Sequence, residues 1–472
     1  MTINTNNPIL RTDSYKISHF LQYPQGTTGV FSYAESRGGL FRETVMLGIQ
    51  AFIKKYLLTP ITMQDIDEAE TVARLHGFPD FNRPMWERIV KVHKGLMPLI
   101  IKAVPEGTIL PTRNVLVTIE NTDPECAALT SYMETALLRA LWYPTTVATL
   151  SYNMKKIIRR YMEATADDDT IEAAMPFKLH DFGARGVSSG ESAELGGLAH
   201  LVNFMGTDTI EGLLAASKYY NVDLTNPEQM PGFSIPAAEH STITSWGRER
   251  ERDAFENMLN AYGRPGSLLA VVSDSYDIYN ACEKIWGEDL REQVIKSGAT
   301  VVVRPDSGHP PSVVLRCLSI LEDKFGSTVN SKGYMLLNNV RIIQGDGIDI
   351  DMLEEILRAV KDAGFSADNL AFGCGGGLLQ KVDRDTLKFA LKCSAMQVGG
   401  VWKDVYKDPV TDPGKTSKKG RLMLYKNTNT GQFVSAQEGM KNDELEPVLR
   451  TVFINGRLVV DEDFATIRAR AA

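Results

Sequence analysis

The sequence predicts an α/β protein built around a parallel sheet and preceded by a mixed α+β region, and three observations carry that expectation. Between about residues 175 and 400, short apolar runs alternate with longer amphipathic stretches, the pattern of strands buried on both faces by helices. Each run leads into a cluster of glycines and charged residues. The chain also changes character near residue 150, where a less regular mixture of elements gives way to this rhythm.

The predicted strands are Phe177–Leu179, Leu201–Phe204, Leu268–Val272, Thr300–Val303, Val340–Ile343 and Leu370–Phe372. One intervening helix is clear, because Met352, Leu353, Ile356, Leu357, Val360 and Ala363 fall at helical spacing, with Asp351 near the start and Gly364 after the end. Ahead of residue 150, Val30–Tyr33 reads as a strand and Met46–Leu57 as a helix. Ile100–Ile119, broken by Pro105, Gly107 and Pro111, reads as a small antiparallel unit. No internal repeat or low-complexity tract is present.

Composition excludes several classes. The 472 residues suit two or three domains, 43% are hydrophobic and 23% charged, and no apolar run reaches the ~18 residues of a membrane span. A net charge of −8 makes nucleic acid an unlikely principal partner. Five cysteines without a CxxC pair, and an N-terminus without a basic and apolar leader, predict a reducing, cytoplasmic setting. Positive charge concentrates at Lys415-Thr-Ser-Lys418-Lys419-Gly-Arg421, which reads as either an anion-binding loop or a solvated charge run.

The six runs lead into His180–Gly186, Gly206–Asp208, Ser273–Ser275, Arg304–Gly308, Gln344–Gly347 and Gly373–Gly377. Ligands bind at the carboxyl ends of parallel strands, where loops vary while the sheet stays rigid, so six such clusters in register predict one shared rim. Gly373–Gly377 places a turn free of side chains before a helix start, suited to phosphate, although the Gly-Lys-Ser/Thr ending of a P-loop is absent. Gly345 offers a second cradle, with Asp346 suited to a ribose hydroxyl. Arg304 and Asp306 flank Pro305 and serve either as a phosphate fork and sugar carboxylate or as a structural ion pair. Arg185, Arg384 and Lys392 would add positive charge to the rim. His240, ahead of a predicted helix, is a candidate nucleophile or acid–base group, or simply a helix-entry residue. No His-Glu-x-x-His helix points to a zinc protease.

Taken with Thr12–Lys16, Pro236–Thr244, Val272–Asp277 and Thr451–Gly456, these motifs closely resemble the nicotinamide phosphoribosyltransferase family, over nearly the whole chain. The resemblance implies an irregular (β/α) barrel of the type II phosphoribosyltransferase kind over 151–400, and a mixed α+β domain built from both chain ends, 1–150 and 401–472. It also implies a head-to-tail homodimer with shared active sites, working in NAD salvage. Phe182 and a partner-chain Tyr15 would stack on nicotinamide, and Asp208 would accept from its carboxamide. Arg185 and Arg304 would line the pocket together with Ser273. Asp306 and Asp346 would meet the ribose of phosphoribosyl pyrophosphate, and Gly345, Gly376 and Gly377 would admit its 5′-phosphate. Arg37, Arg384, Lys392, Lys407 and Lys415 would face phosphates, Mg²⁺ would accompany pyrophosphate, and ATP would phosphorylate His240. Ala184 and Ala390 depart from the residues expected at those positions. The rival readings are a nicotinate phosphoribosyltransferase and a non-catalytic binding protein on the same fold.

Overall fold

In the computed structural model, which describes residues 3–411 and 415–472, the apolar rhythm becomes a six-stranded sheet. Its strands are β1 (Leu179–Asp181), β2 (Gly206–Thr207), β3 (Leu268–Val272), β4 (Thr300–Arg304), β5 (Val340–Gln344) and β6 (Leu370–Cys374). They lie in the order β2-β1-β6-β5-β4-β3, and every pairing is parallel. The two edges meet through one extended segment. Phe233 exchanges backbone hydrogen bonds with the β2 side (Thr207 N to Phe233 O 2.9 Å, Phe233 N to Met205 O 2.7 Å), and Pro236 and Ala238 do so with β3 (Ala270 N to Pro236 O 2.9 Å, Ala238 N to Ala270 O 2.9 Å). The sheet therefore curls into an irregular barrel, which removes its exposed edges.

Strand residues alternate in direction. Val301 and Val303 are fully buried, whereas Ala270, Val302 and Ile343 form a separate small cluster with Phe182, Ile235 and Ala371. A cavity of about 470 Å³ is lined by His180, Ser234, Val302 and Ile343, among others, with Lys178, Arg341 and Asp368 also on its wall. The helix expected from Met352 onward spans Ile350–Asp362. Its cap is Asp349, whose side chain accepts from Met352 N at 3.0 Å, and Asp351 lies in the first turn. Gly364 follows at φ +83°, a conformation that favours glycine.

Two strand assignments change. Leu201 ends the helix Gly190–Leu201, and Val202, Asn203 and Phe204 continue as a turn hydrogen-bonded back to it. The apolar run is buried because the helix is covered on nearly every side, while the actual strand, Gly206–Thr207, carries no apolar signal. Phe177 belongs to a 3-10 turn, and β1 begins at Leu179.

The chain divides into two compact units, one of 1–149, 216–222 and 383–472, the other of 150–215 and 223–382. The first boundary lies inside the helix Glu134–Thr165. The second falls at 383 rather than 401, because Phe389–Val398 pairs antiparallel with Thr27–Ser36 and so belongs to the other sheet. That seven-stranded sheet has Thr27–Ser36 between Phe389–Val398 and Val115–Asn121, and extends through Leu99–Ala103 to Arg450–Ile454. The β-rich passage after residue 100 is thus antiparallel, as its turn residues predict. In the same unit the fully enclosed carboxyl of Glu106 accepts from Ile49 N at 2.6 Å, at the start of the helix Ile49–Tyr56, and from the Tyr220 hydroxyl at 3.3 Å. Burial pushes its pKa up to about 7 despite these donors.

Candidate active site

The carboxyl ends of the barrel strands converge on Phe182. Its backbone N donates to Cys374 O at 3.0 Å, anchoring the turn after β1 to the end of β6. Its ring lies directly over Gly373, where a Cβ would stand only 2.0 Å from Cε2. A Cβ built on Gly345 would meet Phe182 Cε2 at 3.5 Å, Arg304 Nε at 3.6 Å and Asp306 Oδ1 at 3.6 Å. Residues from the ends of β1, β4 and β5 therefore border the same small volume. The Arg304 guanidinium also stands 5.7 Å from the Phe182 ring centroid, within reach of a cation–π contact.

Arg304 and Asp306 form a two-toothed ion pair, with Nε to Oδ1 at 3.2 Å and Nη2 to Oδ1 and Oδ2 at 2.9 and 3.0 Å. Of the two readings of this pair, the structure shows the ion pair in the free protein, and its place beside Phe182 and Gly345 puts that pair on the rim itself. Asp346 is exposed next to Gly345, and its carbonyl accepts from Gln344 Nε2 at 3.0 Å. Arg185 is exposed in the turn Ala184–Gly186 that follows Phe182.

Asp208, at the end of β2, is exposed and held in two ways. Its backbone N donates to Asp181 O at 2.9 Å, and its Oδ1 accepts from the Ser234 hydroxyl. Nearby, His180 has its Nε2 3.0 Å from Phe177 O. A carbonyl only accepts, so that nitrogen carries the proton, and burial lowers the imidazole pKa. His180 is therefore a neutral ring at pH 7.

His240 begins the helix His240–Thr244, with its side chain nearly half exposed. Its Nε2 lies 2.9 Å from Asp274 Oδ1, and the other oxygen of Asp274 accepts from Ser307 Oγ at 2.6 Å. An ionised carboxylate can only accept, so Nε2 donates to Asp274, and in the neutral ring the lone pair then lies on Nδ1. Asp274 lies inside a motif already singled out, but no spacing rule links it to a histidine 34 positions earlier; only the fold does.

The glycines have different reasons to be glycine. A Cβ on Gly376 would meet nothing within 4 Å, so that backbone is open to an approaching group, whereas one on Gly377 would stand 2.4 Å from Ile348 O. Gly377 is thus required for close packing, whereas the backbone at Gly376 is left accessible. Ser273 needs correction. It is fully buried, with its hydroxyl donating to Val271 O at 2.9 Å and accepting from Trp286 Nε1 at 3.1 Å, so nothing remains for a substrate.

The other candidates belong to the unit formed by the chain ends. Tyr15 is 57% exposed, edge-on to His19. Lys392 is half-buried; burial lowers its pKa, and Arg37, Lys407 and Arg384 push it further down against the opposing pull of Glu134. These four cations therefore share one neighbourhood, which favours an anion. Lys415 is exposed. In the same basic loop Lys418 pairs with Glu35, and Arg421 pairs with Glu120 at 2.6 Å and Glu438 at 3.0 Å. Pro413 and Gly414, placed in that loop by the sequence, lie outside the described residues. Ala390 is buried in the strand Phe389–Val398, opposite Glu35.

Comparison with known proteins gives a consistent result. The family model for the N-terminal domain of nicotinamide phosphoribosyltransferase matches residues 7–101. A protein of Xanthomonas campestris named nicotinamide phosphoribosyltransferase is 54% identical, over 99% of this chain and 98% of its own length. One of that name from Acinetobacter baylyi is 30% identical over 99% and 97%. Among solved structures, a nicotinate-nucleotide pyrophosphorylase from Pyrococcus furiosus superposes with a TM-score of 0.62 at 18% identity, covering 100% of this chain and 96% of that one. Human nicotinic acid phosphoribosyltransferase gives 0.55 at 16%, covering 98% and 92%. These last two likenesses speak for the fold alone. Since the nicotinate phosphoribosyltransferase (NAPRTase) family model also matches residues 177–457, the chain belongs to that family and carries the N-terminal domain of nicotinamide phosphoribosyltransferases.

Proposed function

We propose that this enzyme, a pentosyltransferase, condenses nicotinamide with phosphoribosyl pyrophosphate to give nicotinamide mononucleotide and pyrophosphate, a step of NAD salvage. The observation that carries the reading is the convergence of Phe182, the Arg304–Asp306 pair and Gly345 at the strand ends, with the 54% identical relative as its support. The pyridine nitrogen attacks C1 of the ribose as pyrophosphate departs. That nitrogen carries no proton, so no general base is needed. The work falls to positioning and to charge: the Phe182 ring orients the base, the carboxylates of Asp306 and Asp346 sit where the ribose carbon becomes positive, and Gly376 admits a phosphate.

Mg²⁺ would be held at this rim by one or two carboxylates together with substrate oxygens, the kind of coordination magnesium prefers. Asp306 and Asp346 are the carboxylates to hand, and no group of three His, Cys, Asp or Glu side chains among the described residues is placed to hold an ion by itself. When bound, Mg²⁺ would neutralise charge on the leaving pyrophosphate. ATP would transfer its γ-phosphoryl group to Nδ1 of His240, the nitrogen with the free lone pair, with ADP leaving. Tyr15, Arg37, Arg384, Lys392, Lys407 and Lys415 would be contributed in part by a second copy of the chain in a head-to-tail homodimer. The enzyme would work in the cytoplasm, in keeping with five free cysteines. No helix among the described residues is long and apolar enough to cross a membrane.

Asp208 decides between nicotinamide and nicotinate. An ionised carboxylate facing another about 4 Å away is disfavoured by roughly 1 kcal/mol in water and about 4 kcal/mol at an effective dielectric of 20, while an amide N–H is attracted. Steady-state kcat/KM for the two bases tests the assignment. A preference for nicotinamide that narrows in Asp208→Ser supports it, and equal ratios in both proteins refute it.

A further inference from the structure

We propose that Ser234 is a specificity-determining positioning residue, aiming the Asp208 carboxylate so that one oxygen stays free for the carboxamide N–H of the substrate. The inference rests on the assignment of Asp208 to that amide. Ser234 lies in the segment that joins the two edges of the barrel, and hydrogen bonds at Phe233 on one side and at Pro236 and Ala238 on the other clamp its backbone. The serine therefore works from a fixed strut rather than a loose loop. Its hydroxyl donates to Asp208 Oδ1, which engages one lobe of the carboxylate and leaves Oδ2 to accept from elsewhere.

Two further observations restrict Asp208 to this arrangement. Its main chain is tied to Asp181 O at 2.9 Å, and the next residue, Thr209, donates its N to Thr207 Oγ1 at 3.0 Å, so only side-chain rotation remains free. His180, whose charge would interact with Asp208, is held neutral by burial, and its one N–H is spent on Phe177 O. No imidazolium competes for the carboxylate. The Ser234 bond thus fixes the remaining torsion. Ser234 also lines the barrel cavity.

The test measures kcat/KM for nicotinamide and for nicotinate in the wild type and in Asp208→Ser, Ser234→Ala and Ser234→Thr. The expected result is a nicotinamide-to-nicotinate ratio reduced about tenfold in Ser234→Ala, chiefly through KM for nicotinamide, the size appropriate to one hydrogen bond to a charged group. Ser234→Thr retains the hydroxyl and restores the ratio. If Asp208→Ser narrows the ratio while Ser234→Ala leaves it unchanged, the role of Ser234 is overturned and that of Asp208 stands. If neither changes it, both fall. Equal losses for both bases in Ser234→Ala, without rescue by threonine, would mark a merely structural residue and overturn the proposal.

Discussion

Gly373→Ala isolates the contribution of the Phe182 ring without touching that residue. The added methyl would stand 2.0 Å from Cε2 and 2.2 Å from Cδ2 of Phe182, whereas carbon atoms in contact sit about 3.5 Å apart. Since Gly373 lies within β6 and pairs with His180 in β1, the backbone is held and the ring must retreat by about 1.5 Å. A displacement of about 1 Å near the reacting atoms costs up to about 10²-fold, and a lost aromatic contact alone about 0.5–1.5 kcal/mol. Steady-state kinetics should therefore show kcat/KM for nicotinamide reduced by roughly 10- to 100-fold, with KM for phosphoribosyl pyrophosphate nearly unchanged. Thermal unfolding supplies the companion measurement. Overpacking costs about 1–3 kcal/mol, and Phe182→Leu in the same chain should recover stability without recovering nicotinamide binding. Gly376→Ala is the contrast: its methyl enters open space, so the protein should fold normally and lose affinity for the phosphoribosyl donor instead. A Gly373→Ala enzyme with wild-type KM for nicotinamide would refute the placement of the base against Phe182.

Asp274→Asn presents an amide to His240 Nε2 and removes the control over which nitrogen carries the proton, so ATP stimulation should fall by about 10²-fold or more while transfer without ATP persists; coupled ATPase and product assays check this, and unchanged stimulation would count against Asp274. Arg304→Lys replaces a two-toothed pair with a single point charge and loses the contact over Phe182, so kcat should fall about tenfold in steady-state assays while the fold, followed by circular dichroism, stays intact. Glu106 provides a pH prediction: its pKa rises from 4.5 to about 7 in the folded protein, so the stability it contributes is full below about 4.5 and lost as pH rises through 7. Glu106→Gln should therefore unfold with a weaker pH dependence, the difference approaching about 3 kcal/mol above pH 7, and parallel denaturation curves for the two proteins would contradict it.

The strands were legible wherever an apolar run ended in glycine and charge. Leu268–Val272 is found as expected, and Thr300–Val303, Val340–Ile343 and Leu370–Phe372 each gain one or two residues at their carboxyl ends. Leu201–Phe204 misled because a helix enclosed on nearly all sides has the same composition as a buried strand, and periodicity cannot separate the two over four residues. Residues 383–400 join the other unit because Phe389–Val398 pairs antiparallel with Thr27–Ser36, a partnership between distant parts of the chain that no local periodicity marks. Phe182, Arg304, Asp306 and Gly345 were identified singly and are brought together by the strand ends. Ser273, which the family resemblance places at the pocket, has its hydroxyl consumed inside the protein.

The order of residues along the chain determined which side chains emerge at the carboxyl ends of the strands, because strand direction and two-residue alternation follow from local backbone geometry. It did not determine which of them touch. The bond from Ser234 to Asp208, the bond from His240 to Asp274, and the closure of the barrel through residues 233–238 join positions 26, 34 and about 30 residues apart. Contacts at such separations carry no periodic signal, and they form only after the sheet has curled and brought its edges within hydrogen-bonding distance. Tertiary structure therefore decided how the site is aimed and which of its polar groups remain free.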